Sequence, residues 1–490
     1  MIATIARKEL REMARDGRFR LAAAAVLLLL AAALATGWRA WRDASALRES
    51  AAHATRAHWL AQPPKNPHSA AHYGVYAFKP EPALSFVDRG VGSYVGALTW
   101  LEAHKQNDLK YRPAQDATAA TRFGEWTAAA VLQLLVPLLV VVLGFAAFAG
   151  ERERGTLRQL LALGVPPGRL ALGKALGVGG ALALLLMPAA LLGAGALVLT
   201  GNGGEGATAA APAGDVAVRV LALAAAYLAY FALFAAATLA ASAFARTTRT
   251  ALVVLLAAWA ANVLVAPRLA ADVARAARPA PTALAFNARL ERGLAADPEG
   301  LSSEAREQQF RDSVLRAYGV ASVDALPVNF AGLELAESER HGDRVFDREY
   351  GALAATYRAQ DGVRAALGTV APLLAVRELS MALAGTDAEQ FRAFQAAAER
   401  YRRELVGRMN DEMARGSRTA DGFDTKMDAR TWATVPEFRY VAPGAGAVLA
   451  GAWPHVVALG AWLAAAAFAL AVGVRRLART GPDAPVREAA

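Results

Sequence analysis

Residues 150–174 read GERERGTLRQLLALGVPPGRLALGK, a short charged block between two long apolar runs. Glu151, Arg152, Glu153 and Arg154 open it, Gly155 and Thr156 interrupt the charge, and Leu157, Leu160 and Leu161 follow at helical spacing. Ionised side chains this dense have no place in lipid, where each costs several kcal/mol. The block therefore predicts a short helix in water at one membrane face, joining two spans and open to a soluble partner.

The rest of the chain agrees with a membrane setting. Of its 490 residues, 55% are hydrophobic and only 20% are charged, a balance that a soluble protein of this length would not show. The apolar residues are concentrated in runs at 21–38, 127–149, 175–200, 217–245, 251–267 and 448–474. Each reaches the roughly 17–25 residues that a helix needs to cross a bilayer core, the fifth only just. The predicted fold is an all-α membrane protein of six transmembrane helices. The first run, ending near Ala33-Leu34-Ala35, also has features of a cleavable signal peptide. Its span length and the leader before it, with Glu9, Glu12 and Asp16, favour a retained span. With no cysteine in the chain, disulfides, thiolate metal sites and cysteine nucleophiles are all excluded.

Orientation follows from basic residues in short loops. Arg152, Arg154, Arg158, Arg169 and Lys174 lie in the block, Arg246 and Arg249 in the 246–250 loop, and Arg475, Arg476 and Arg479 in the 475–490 tail. The 201–216 loop carries no Lys or Arg. This predicts cytoplasmic termini, with the leader at 1–20 as an amphipathic helix, and assigns the net charge of +10 to membrane orientation rather than nucleic acid. Trp38, Trp41, Trp126 and Trp453 then fall near the outer interface, although Arg39 and Arg42 argue mildly the other way.

Two long regions, 39–126 and 268–447, are left outside and predict a mainly helical extracytoplasmic domain. The first continues span one and then meets Pro63, Pro64, Pro67, Pro80 and Pro82, which forbid a long helix and leave loop with one or two strands. It closes on GALTWLEAHKQNDLKY, read as more helical around Trp100. In the second, Phe391, Phe394, Ala398, Tyr401, Leu405 and Met409 form one apolar helix face. Leu353, Tyr357, Ala366, Leu367, Val370 and Leu374 suggest another before the breaker at 384–387. Arg377-Glu378 and the run from Glu337 to His341 read as solvated helix faces.

Several motifs stop short of a chemistry. Gly168 to Ala175 nearly fits a phosphate-binding loop, but Ala175 has no hydroxyl and no strand precedes it, so any ATP must be held by another chain. Five of the seven histidines lie in the first outer region. His68, His72, His104 and Asp108 are a conceivable metal site, yet no complete ligand spacing is present, and the favoured reading is polar contacts that pin loops, with no cofactor bound by this chain. Polar residues within spans are few, Gln133, Thr238, Ser242 and Asn262, which argues against a proton- or ion-coupled carrier. Pro137 and Pro188 predict kinks, and Gly173-xxx-Gly177 says little about helix pairing where small residues are this common.

Six spans, the leader Ala6–Asp16 and the ERERGTLRQLL block together resemble the permease subunits of type-2 ATP-binding-cassette exporters. The two large insertions depart from that pattern and resemble a bacterial subgroup sharing segments like PHSAAHYGVYAFKP, WLEAHKQN and RELSMALAGTD. The resemblance implies a multi-pass protein of the bacterial inner membrane, without an ATPase site of its own. It would work with separate ABC ATPase subunits that carry the ATP and with a second permease, identical or paralogous. It also implies that the block docks on the ATPase, with Leu157, Leu160 and Leu161 as apolar contacts and Glu151, Arg154 and Arg158 as charged ones. A non-transporting sensor or scaffold, or a metal-binding membrane protein using the outer histidines, are the alternatives.

Overall fold

The computed structural model describes residues 1–116, 126–201, 212–295 and 302–478. Most of the 201–216 loop and the tail beyond residue 478, with Arg479, lie outside them. Among the described residues, six helices are long and apolar enough to cross a membrane: Phe19–Leu60, Ala128–Glu153, Pro167–Leu199, Ala213–Phe244, Thr248–Ala277 and Ala445–Leu477. The expected helical architecture with six candidate spans is thus the observed one, with a small sheet added to it. At 42 residues, the first span is about 63 Å long, twice a bilayer core, so its second half projects beyond the membrane.

Two spans carry the same irregularity. A π-helical turn at Val131–Leu135 precedes Pro137, and another at Ala261–Val265 precedes Pro267. A proline lacks the N–H that would continue the α-helical ladder, and a π turn takes up the misfit. Pro188, by contrast, lies inside a helix that runs on from Pro167 to Gly201. The second span also breaks into turns at 145–148, where the backbone N–H groups of Phe148 and Ala149 donate to Ser242 Oγ (2.9 and 3.1 Å). Ser242 is therefore a structural acceptor for a broken helix.

Both insertions build the outer domain. Asn66 caps α2 (Pro67–Tyr73), accepting from the N–H of His68 at 2.9 Å while its amide donates to Phe423 O at 3.1 Å. A three-stranded antiparallel sheet follows: β1 (Val75–Phe78), β2 (Leu98–Glu102) and β3 (Lys105–Gln106), in the order β1-β2-β3. The helical expectation around Trp100 is corrected. Residues 98–102 alternate between half-buried and buried, the period of a strand, and Trp100 pairs with Tyr76 across β1.

The second insertion supplies α4 (Phe330–Leu367), α5 (Pro372–Ala384) and α6 (Ala388–Gly416). The breaker after α5 is Gly385, at φ +75°, followed by Asp387, which caps α6 by accepting from Gln390 N–H. Helix α5 is apolar on nearly every side and packs against spans four and six, inserted between membrane bundle and outer domain. Trp59 and Trp432 lock the first span to the segment before the sixth. Each indole N–H donates to the other arm, Trp59 to Trp432 O at 2.8 Å and Trp432 to Gln62 O at 3.2 Å.

Polar residues within the spans join these layers, although Thr238 Oγ1 is buried without a hydrogen-bond partner among the described residues. Gln133 donates to Tyr227 Oη (3.0 Å), Tyr227 to Ser380 Oγ (2.9 Å), and Ser380 to the buried carboxylate of Asp88. Asn262 accepts from Leu373 N–H at the start of α5. A directed chain of hydrogen bonds thus runs from span two through span four to the outer domain.

Candidate functional site

The charged block occupies the bundle end that holds the leader helix α1 (Ile2–Arg15), opposite the large domain. It is not one helix. Gly155, at φ +75°, separates the end of span two from α3 (Thr156–Ala162), because the left-handed backbone there suits a residue without Cβ.

Three of the block's four leading charges are committed internally. Lys174 Nζ lies 2.8 Å from Glu151 Oε1 and 2.8 Å from Glu9 Oε1, and all three residues are buried. Arg152 donates to Ala243 O (2.9 Å) and Ala245 O, and Glu153 accepts from Thr248 N–H (2.9 Å), so both hold the turn between spans four and five. The block therefore fastens the leader and spans two to five into one body. The near phosphate-loop segment is helical from Pro167, and its Lys174 points inward to this cluster.

This corrects the expected docking set. Glu151 is 4% exposed and paired with Lys174, and Leu157 is 4% exposed in a cluster with Phe148, Leu170 and Leu239. Neither is available to a partner, because each fills the interior that holds α3 in place. Leu160 and Leu161 are half-buried against the same cluster, while Arg154 and Arg158 are exposed. Leu163, which the helical spacing did not single out, is 80% exposed at the end of α3. The outward face is thus Arg154, Arg158 and Leu163.

Glycine spacing also finds its use here. An added Cβ at Gly173 would stand 2.6 Å from Ile5 Cβ, and one at Gly177 2.7 Å from Glu9 Cβ. The small-residue stripe on span three receives the leader helix.

On the far side, three of the outer histidines converge. His68 and His72 lie one turn apart on α2, and His104 sits in the turn between β2 and β3 with φ +63°, a strained setting for a side-chain-bearing residue. His68 Nε2 is 3.1 Å from His104 Nε2 and 3.1 Å from His72 Nε2. Asp108 lies outside the group, beside Tyr350. His53 and His58 stand exposed on the projecting end of span one.

The far sides of two rings are fixed by the second insertion. His68 Nδ1 is 2.8 Å from Asn410 Oδ1 on α6, and His104 Nδ1 is 2.7 Å from Glu339 Oε1 on α4. The same carboxylate oxygen accepts from the His104 backbone N–H (2.7 Å), and Glu339 Oε2 accepts from Arg402, which also binds Glu399 and Asp343. The solvated-face reading of residues 337–341 is thereby corrected: Glu339 is buried because α4 packs on α6 through this network, and His341 is buried on another side of α4, 3.3 Å from Leu294 O. Burial lowers His68 to about 4, with His104 and His72 pushing the same way against the bond to Asn410. Burial alone would raise the Glu339 carboxyl, but the hydrogen bond from His104 and the charges of His104 and Arg402 hold it below the usual range.

The family model described as Domain of unknown function (DUF3526) matches residues 286–441, which include α4, α5, α6, Glu339, Arg402 and Asn410. The chain thus carries a DUF3526 domain in a helical protein with six candidate membrane spans. No curated protein matches it.

Proposed function

We propose that this chain is the permease subunit of a bacterial ATP-binding-cassette transporter, driven by separate ATPase subunits at its Arg154–Leu163 face. In this reading ATP stays on the partner, a second permease completes the assembly, and both termini face the cytoplasm of an inner-membrane protein. The observation that carries it is the construction of α3. Arg158 on α3 and the flanking Arg154 and Leu163 face outward, while the buried Lys174–Glu9–Glu151 cluster, Arg152 and Glu153 tie its base to the leader and four spans. Force applied to that face moves packed helices as a rigid body, and the chain from Gln133 to Asp88 leads onward to the outer domain. Cargo leaves the cytoplasm, or motion is delivered to the outer domain, in the same cycle.

The test is purification of the tagged full-length chain from its own membranes in mild detergent. An ABC ATPase subunit is expected in stoichiometric amount, with ATP hydrolysis by the complex. Arg154→Glu with Arg158→Glu should lose both while the permease keeps its elution profile. A full-length chain that brings down no ATPase would be a sensor or scaffold, and full activity in the double variant would remove the docking role.

A further inference from the structure

Two of the three convergent imidazoles are held with Nδ1 facing a hydrogen-bond acceptor. In neutral rings, an Nδ1–H that donates from His104 to the Glu339 carboxylate and from His68 to Asn410 Oδ1 leaves each Nε2 as a bare lone pair. Those two Nε2 atoms are 3.1 Å apart. His72 can place one proton against one of them, so at least one Nε2–Nε2 contact has no hydrogen to share. Such an arrangement is repulsive by itself and favourable around a cation.

We propose that His68, His72 and His104 form a binding site for a divalent transition ion of the zinc class in the outer domain. Three nitrogens about 2.0–2.1 Å from a tetrahedral ion would stand roughly 3.3 Å apart, close to the 3.1 Å contacts present. The arrangement around the rings is that of metal-ligating histidines, whose second nitrogen is oriented by a carboxylate or amide oxygen. Glu339 is itself fixed by Arg402. The strained backbone at His104 is over-determined by the same carboxylate, which binds both its ring and its N–H. Three protein ligands leave a fourth position, and His72 puts it on the exposed side of the cluster, where water or an incoming donor can reach the ion. The ligands come from the first insertion and their supports from the second, so the ion would join the two.

Full-length protein in detergent, stripped with chelator and dialysed, would be titrated with zinc chloride and its metal content measured. One equivalent per chain is expected. His72→Ala should abolish stoichiometric binding, and Glu339→Gln should weaken it by about 10–100-fold with all three ligands kept. His53→Ala and Asp108→Asn should bind as the parent does. Cobalt(II) in place of zinc should give the intense visible bands of a four-coordinate ion. A folded protein that takes up no stoichiometric zinc, or a His72→Ala variant that binds as tightly as the parent, would overturn the site. Because His72 is exposed, its variant keeps the test open even where Glu339→Gln fails to fold.

Discussion

Lys174 Nζ and Glu151 Oε1 lie 2.8 Å apart at the membrane end of the charged block, and neither residue reaches water. Replacing the lysine removes the 2.8 Å partner of two carboxylates, since Glu9 shares the same ammonium, and leaves them only the exposed Lys8 at 3.6 and 3.8 Å. Lys174→Met should lower stability by about 3–5 kcal/mol, the usual cost of removing one partner from a buried pair. Thermal unfolding in detergent reads this directly. Arg158→Glu, on the exposed face, should stay within about 0.5 kcal/mol of the parent. Equal losses in the two would contradict the division between an internal and an external face.

The glycine stripe on span three gives a second outcome. Gly177→Val would drive a side chain into Glu9 and push the leader helix off the span. Overpacking of this kind costs about 1–3 kcal/mol. Limited proteolysis should cut the leader faster in Gly177→Val than in Gly179→Val, where an added Cβ meets nothing within 4 Å.

Tyr227 is the middle of the chain between span two and the outer domain. Tyr227→Phe keeps the ring but leaves Gln133 and Ser380 without their shared hydroxyl. The buried groups left unpaired should cost about 1–3 kcal/mol. A melting temperature unchanged from the parent would show that the chain joins nothing.

Lys79 supplies the pH dependence. Burial, with Arg48 acting the same way, lowers its ammonium to about 8 against the pull of Glu81 and Asp387. Its remaining contacts are Gly385 O at 3.3 Å and the face of Phe391 at 4.5 Å. An unfolded lysine holds its proton to about 10.4, so above pH 8 the unfolded state binds more protons and this residue's contribution to stability rises with pH. The rise is at most about 1.4 kcal/mol per pH unit. Lys79→Met should be the more stable form near neutral pH, with the gap to the parent narrowing from pH 8 to 10. A gap that widens over that range would reverse the sign.

The amino-acid order alone determined whatever depends on near neighbours. Continuous apolar runs gave the six spans, charge density placed the block outside lipid, and helical periodicity gave α6 with Phe391, Phe394 and Leu405 inward. Residues 98–102 were misread because five residues of a strand resemble a helix turn until a partner such as β1 is known. Tertiary structure decided everything that depends on distant partners. Glu151 and Leu157 look like docking residues in sequence, and only packing shows that Lys174 and Phe148 claim them. His68 and His72 were legible as a pair, but His104 joins them through a hairpin. Their supports, Glu339 and Asn410, stand 235 and 342 residues away from the rings they hold. No local pattern encodes such a pairing, because it arises only when two insertions separated by four membrane spans fold against each other.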